Sequence, residues 1–255
     1  MIEVKTNGIL EAYDISEVGI TDGLVAWYPL DGNTRDYTEY RNNGTVTGAT
    51  IASGMNGDLC YSFNGTDNYY ISVPSSSALV LTKALSVSIF FKANKGQAYI
   101  ISKGDGLAQT TEWVIGLMPT SGYLFFLVKN SSTVYKRYVS TVGFADDIWH
   151  HTCLTWGDGT LQCYADGVSI DFTVVKDDEF TDIINSSGSM FIGIESWGGP
   201  VGSYKFGGLI QDVRIYNRAL SPEEIKILYE LKKNLKTHFT ISDKIYIPGK
   251  FNEVY

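Results

Sequence analysis

At 255 residues, 44% of them hydrophobic, the chain is long enough to bury one sizeable core. Its 28 acidic against 20 basic side chains give a formal net charge of -8, so phosphate backbones are repelled on average and nucleic acid is excluded as a partner. No window approaches the roughly 18 to 20 apolar residues that a membrane span needs.

The first residues, Met1-Ile2-Glu3-Val4-Lys5, carry no basic segment followed by an apolar run, so no secretory signal is expected there. Residues 1–21 alternate weakly around Ile9, Leu10, Ile15, Val18 and Ile20 and read as an arm or linker. From Leu24 onward, short runs rich in β-branched and aromatic residues are separated by Gly, Asn, Asp and Ser clusters. Strands are expected at about 51–63, 69–73, 85–92, 97–102, 112–117, 122–129, 134–141, 149–156, 160–165, 168–174, 188–194 and 205–216. Many short strands without βα alternation predict an all-β, antiparallel two-sheet sandwich.

Of the three cysteines, two flank a turn. If Gly157-Asp158-Gly159 forms a three-residue hairpin loop, counting outward sets Cys153 opposite Cys163, within reach of a disulfide. The other reading leaves both as small buried residues.

The end of the sandwich is the most legible stretch. Leu209, Val213 and Ile215 alternate with Asp212 and Arg214, as a half-buried strand requires. Ser221 then supplies an N-cap, Pro222 the first helical position and Glu224 the reciprocal carboxylate of a capping box, which predicts a helix over 221–234. Ile225, Leu228 and Leu231 share one face of it and are expected to lie on a sheet.

The run Gly208-Leu209-Ile210-Gln211-Asp212-Val213-Arg214-Ile215-Tyr216-Asn217-Arg218-Ala219-Leu220 followed by Ser221-Pro222-Glu223-Glu224-Ile225 resembles the closing segment of laminin-G-like, concanavalin-A-like jelly rolls. Leu24-Val25-Ala26-Trp27-Tyr28-Pro29-Leu30-Asp31-Gly32, Tyr61-Ser62-Phe63-Asn64-Gly65, and Trp149-His150-His151 through Tyr164-Ala165-Asp166-Gly167 occur in the order of that family. The resemblance spans about residues 22–231. It implies a jelly-roll sandwich over 22–236, with an arm at 1–21 and an extended tail at 237–255. Functions on this fold are diverse, so function must be argued from a site. The resemblance also implies a structural calcium between the loop after the first strand and the closing strand, with Asp36, Asn43, Gly44 and Asp212 at the matching positions.

Catalytic signals are sparse. The E-x-D-x-x-E strand of sandwich glucanases is missing, as are a nucleophile elbow, a zinc-spaced set and a phosphate-binding glycine loop. The expectation is a non-enzymatic protein. Glycan sites combine exposed aromatic rings with hydrogen-bonding side chains, and two loops are expected to do so: Asp67-Asn68-Tyr69-Tyr70, and the Gly-rich stretch from Glu195 to Tyr204, in which Trp197 is the foremost ligand contact.

The tail beyond the helix holds Phe239, Ile245, Ile247, Phe251 and Tyr255. It either packs on its own sandwich or docks on a neighbouring subunit, and its Lys244-Ile245-Tyr246 and Phe251-Asn252-Glu253 are similar to endings of some phage structural proteins. Two readings follow. One is a virion surface protein of a bacteriophage, attached as a monomer or a homo-oligomer through its terminal arms to capsid or tail proteins, and presenting a lectin-like sandwich for decoration or attachment to a cell-surface glycan. The other is a carbohydrate-binding module, free-standing or appended to an enzyme, at the cell surface or outside it; a glycosidase comes third.

Overall fold

Alternating apolar residues punctuated by turn-forming ones build strands, and all the strand pairs of the computed structural model are antiparallel among the residues it describes: 2–6, 9–13, 20–66, 68–94, 98–105, 110–195 and 204–234. β1 (Ile2–Thr6) and β2 (Ile9–Tyr13) pair as a separate hairpin within the stretch expected to be an arm. Next come β3 (Leu24–Tyr28), β4 (Thr45–Thr47), β5 (Thr50–Ser53), β6 (Leu59–Asn64), β7 (Tyr70–Val73), β8 (Ala84–Ala93) and β9 (Ala98–Asp105). They are followed by β10 (Thr110–Leu117), β11 (Tyr123–Lys129), β12 (Tyr135–Gly143), β13 (Trp149–Gly157) and β14 (Thr160–Ala165). β15 (Val168–Ser169), β16 (Phe172–Asp177), β17 (Met190–Ile192), β18 (Gly207–Tyr216) and the helix α1 (Pro222–Asn234) complete the sandwich.

The front sheet runs β16-β12-β11-β10-β9-β17-β7-β4. The back sheet runs β15-β14-β13-β8-β18-β6-β5, with β3 also pairing with β18. Trp113, Phe126, Leu154, Trp156, Ile192 and Ile215 belong to the core between them. Two smaller apolar clusters lie outside it. On the back sheet, Cys153, Tyr164 and Tyr216 pack beneath Ile225, Leu228 and Leu231 of α1. On the front sheet, Val114, Phe125 and Leu127 form a third cluster with Tyr99, Met118, Tyr135 and Val139.

The closing segment folds as its sequence dictates. The Ser221 amide donates to Glu224 Oε2 at 2.8 Å, and the Glu224 amide donates to Ser221 Oγ at 3.3 Å, so both halves of the capping box are closed.

Three expectations are corrected. The strand foreseen at 51–63 breaks into β5 and β6 around a 3-10 turn at Met55–Gly57, because Asn56 takes a left-handed conformation. The strand foreseen at 168–174 divides into β15 and β16, which go to opposite sheets. The hairpin after β13 has a two-residue loop in which Asp158 and Gly159 are both left-handed, the backbone that suits a tight hairpin. The register therefore shifts by one: Leu154 faces Cys163, and Cys153 faces Tyr164. Cys153 lies on the α1 side and Cys163 in the central core, so the two thiols cannot bridge. All three cysteines are free and buried, and burial pushes the Cys153 and Cys163 thiols far above their ordinary range.

Candidate functional site

The outer face of the front sheet gathers aromatic rings from five strands. In β11 the residues facing the core are Leu124, Phe126 and Val128, which leaves Phe125 and Leu127 on the outer side. Register extends that side across the sheet: Gly116 lies between Tyr99 and Phe125, Phe125 faces Val139, Leu127 faces Arg137, and Lys129 faces Tyr135. Gly116 has no side chain to separate its neighbours, and the Tyr99 and Phe125 rings meet at 5.4 Å in an edge-to-face arrangement. A Cβ at Gly116 would come within 2.5 Å of the Phe125 ring and 2.6 Å of the Ala98 carbonyl oxygen. Tyr204 lays its ring flat on Tyr99, with centroids 5.1 Å apart and planes 7° from parallel. Farther along, Tyr70 and Phe191 meet at 5.9 Å.

Charge is set into this surface. The Arg137 guanidinium lies 5.1 Å from the Phe125 centroid, and one of its terminal nitrogens donates to Met118 Sδ at 3.0 Å. Its Nε is inaccessible to solvent and has no hydrogen-bond partner. Lys129 stands 6.0 Å from the Tyr135 centroid, and burial holds its ammonium below the ordinary lysine range, Glu195 working against that shift and Arg137 with it. Burial, then Glu195 and Tyr204, raise the Tyr99 phenol. A half-exposed aromatic platform beside hydrogen-bonding charges is the composition of a saccharide site.

Of the glycan residues named from sequence, Tyr204 is part of this face. Asn68 is exposed and Tyr69 half-buried; both lead into β7, two strands removed from β9, so the structure does not bring them to the Tyr99–Tyr204 stack. Asp67 and Trp197 lie outside the described residues, as do the tail positions Phe239, Ile245, Ile247, Phe251 and Tyr255. Sequence reading missed Tyr99, Phe125, Lys129 and Arg137, whereas Glu195 opens the second stretch that it singled out. A signal for them exists: residues 124–128 are apolar at every position, which an antiparallel strand with one solvated face does not need, and Gly116 interrupts a strand.

The residues implied for calcium are held by donors of the opposite kind. Asp36 Oδ1 accepts from the Trp27 amide at 3.0 Å and from the amide and hydroxyl of Thr38, both at 2.9 Å, while Oδ2 accepts from the Asn42 amide at 2.8 Å. Asn43 Oδ1 accepts from the Asp36 amide, and the Gly44 carbonyl accepts from Thr34 Oγ1. Asp212 accepts from the Trp27 indole at 2.7 Å and from Arg214 at 3.0 and 3.1 Å. Burial alone would raise the Asp212 pKa, but the Arg214 guanidinium brings it below the usual carboxylate range. N–H groups and a guanidinium already surround these oxygens, so the set does not fit a cation that wants six or more free oxygen ligands. No cluster of three or more His, Cys, Asp or Glu suited to a metal occurs among the described residues.

The two adjacent histidines are built into the back sheet. His150 Nδ1 lies 2.8 Å from Asp166 and its Nε2 3.1 Å from Asp146; burial would lower its pKa, but the two carboxylates together raise it. His151 is fully buried, with Nε2 2.8 Å from Ser88 Oγ, and burial lowers its pKa to about 4. An open cleft of about 530 Å³ borders Lys136, Tyr138, Asp177 and Phe180, yet its central charges are spent on one another, Asp177 accepting from both Lys136 and Tyr138.

A family model described as the concanavalin A-like lectin/glucanases superfamily matches residues 64–226. The chain belongs to that superfamily. It is 25% identical over 186 residues to the adhesion G-protein coupled receptor V1 of Danio rerio, a match covering 69% of this chain and 3% of that protein. The chain thus spans only a small part of the curated relative it matches. Domain 4 of AbnA, a GH43 extracellular arabinanase from Geobacillus stearothermophilus solved in complex with arabinotriose, superposes with a TM-score of 0.61 at 24% identity, over 81% of this chain and 98% of that domain. A botulinum neurotoxin type C structure, described as dependent for cell entry on two ganglioside molecules, superposes with a TM-score of 0.65 at 19% identity, over 84% of this chain and 52% of that one. At these identities both show a common fold.

Proposed function

We propose that this chain is a non-enzymatic carbohydrate-binding module that holds its saccharide on the outer face of the front sheet. The observation that carries the reading is the parallel Tyr99–Tyr204 stack, two half-exposed rings of the kind on which sugar rings lie, backed by the buried Phe125 ring. The arabinotriose complex of the arabinanase domain and the ganglioside dependence of the neurotoxin support it by likeness of fold. Calorimetry against saccharides selected on a glycan array tests it. Tyr99→Ala and Tyr204→Ala should each weaken binding roughly tenfold, about 1.4 kcal/mol, with the melting transition retained. Trp197→Ala, on the loop singled out from sequence, is expected to do the same. Binding unchanged in all three variants would remove this face as the site.

Display on a bacteriophage particle, with the terminal segments docked on capsid or tail proteins, is a separate proposal resting on the sequence of the tail at 237–255, which lies outside the described residues. Its test is the copy number of this chain relative to the major capsid protein in purified particles; absence from particles would end it and leave the binding module standing.

A further inference from the structure

We propose that the saccharide held on this face is acidic, its carboxylate or sulfate group seated on Arg137 and Lys129 beside the aromatic platform. The inference rests on the carbohydrate reading above and names the ligand class. A guanidinium offers five N–H donors and stays charged at all physiological pH. Arg137 spends one of these on a thioether sulfur, a weak acceptor, and places its plane against the Phe125 ring; its buried Nε donates to nothing. Two other guanidiniums contrast with it, since Arg214 is closed by Asp212, and the half-buried Arg218 is closed by Glu224 at 2.6 and 2.9 Å. A half-buried cation lacking an anion is costly, and the cost disappears when a carboxylate or sulfate arrives to take the fork.

Lys129 repeats the pattern from the neighbouring strand. Its ammonium stands 6.0 Å from the Tyr135 ring centroid and, among the described residues, in no ion pair, and burial outweighs the pull of Glu195 on its pKa. Glu195 is a carboxylate whose charge acts on both Lys129 and Tyr99, and Arg137 acts on the same two groups, so among the described residues two cations stand with this one carboxylate in the balance. The chain as a whole carries a formal charge of -8, which makes an anion-seeking face a local feature. That balance favours a sugar ring with a single acidic group, stacked on Tyr99 and Tyr204 with its anion on Arg137, over a polyanion that the rest of the surface would repel.

The test is a glycan array carrying matched pairs: uronate-, sialate- and sulfate-bearing saccharides beside their neutral parents, read for wild type, Arg137→Met and Lys129→Met. Wild type should bind one or more acidic members at least tenfold more strongly than the neutral parent, and the preference should fall several-fold when salt is raised from 50 to 500 mM. Arg137→Met should erase the preference, Arg137→Lys should restore part of it, and Lys129→Met should reduce it; melting curves of each variant confirm folding. Whether carboxylate or sulfate members respond distinguishes the two sources of the anion. Equal binding of acidic and neutral partners, or a preference unchanged in Arg137→Met, overturns the inference while leaving the carbohydrate reading intact. No binding to any saccharide overturns both.

Discussion

Two arginines on opposite outer faces of this sandwich show how alike sequence features diverge in purpose. Arg214, on the back sheet, lies 4.8 Å from the Trp27 ring and is closed by both oxygens of Asp212. Arg137, on the front sheet, lies 5.1 Å from the Phe125 ring and meets no carboxylate among the described residues. Each guanidinium sits over an aromatic ring, but one has its counter-charge within the fold and the other does not. The same asymmetry holds for the apolar surroundings. The back sheet's outer cluster is roofed by Ile225, Leu228 and Leu231 of α1, whereas the front cluster is bordered by half-exposed rings and cations. A face completed by its own chain contributes stability, and a face left incomplete is where a ligand can contribute the missing groups.

The largest effect that sharpens this comparison is expected from Asp212→Ala. It strands a buried guanidinium and the Trp27 indole N–H at once, so chemical denaturation should show a loss of ~3–5 kcal/mol. Saccharide affinity per folded molecule should stay unchanged. Arg137→Met should give the reverse pattern, lost binding with little lost stability. If Asp212→Ala weakened binding as much as Arg137→Met, the division between a structural and a functional face would not stand.

The back face should also respond to acid. His151 is buried between Phe90 and Tyr229, at 4.7 and 6.0 Å, and its pKa of about 4 lies below the ordinary histidine value of 6.5. A base depressed in the folded state stabilises it fully above the unfolded pKa. That contribution is lost as pH falls from about 6.5 toward 4, amounting to roughly 3 kcal/mol. His150 runs the other way: its raised pKa gives stability present below pH 6.5 and lost as pH climbs through the folded value. On going from pH 7 to pH 5 the urea midpoint should therefore fall further, or rise less, in wild type than in His151→Gln, which keeps the opposing histidine. The same signed shift in the two proteins would mean that His151 is not the group being titrated.

The back face was legible in the sequence because its signals are local. Ser221, Pro222 and Glu224 specify a helix start within four residues, and Ile225, Leu228 and Leu231 mark its buried side by spacing alone. The front site is built from residues between 99 and 204 that become neighbours only through the pairing of β9, β10, β11 and β12. No short window contains that register. Tyr204 could be selected because it ends a glycine-rich stretch of sequence, while Tyr99, Phe125 and Arg137 sit inside strands where an aromatic or a charge is unremarkable. The misjudged hairpin at Asp158-Gly159 makes the same point: one residue of register decided whether Cys153 faced Cys163 or the opposite side of the sheet.

The smallest effect, and the one most specific to the front face, is expected from Gly116→Ala. The added Cβ enters a strand without any left-handed backbone to oppose it, so its cost comes from crowding. It meets the edge of the Phe125 ring, which can turn aside, and the Ala98 carbonyl oxygen, which can move only with its strand. A loss of ~1–3 kcal/mol follows from overpacking of this kind. The consequence for function is larger than for the fold, because turning Phe125 removes both the partner of Tyr99 and the surface beneath Arg137. Saccharide affinity should therefore fall by about tenfold, or about 1.4 kcal/mol. Wild-type binding by Gly116→Ala would mean that the Tyr99–Tyr204 stack acts without Phe125, and would move the ligand toward Tyr204 and the loop that precedes it.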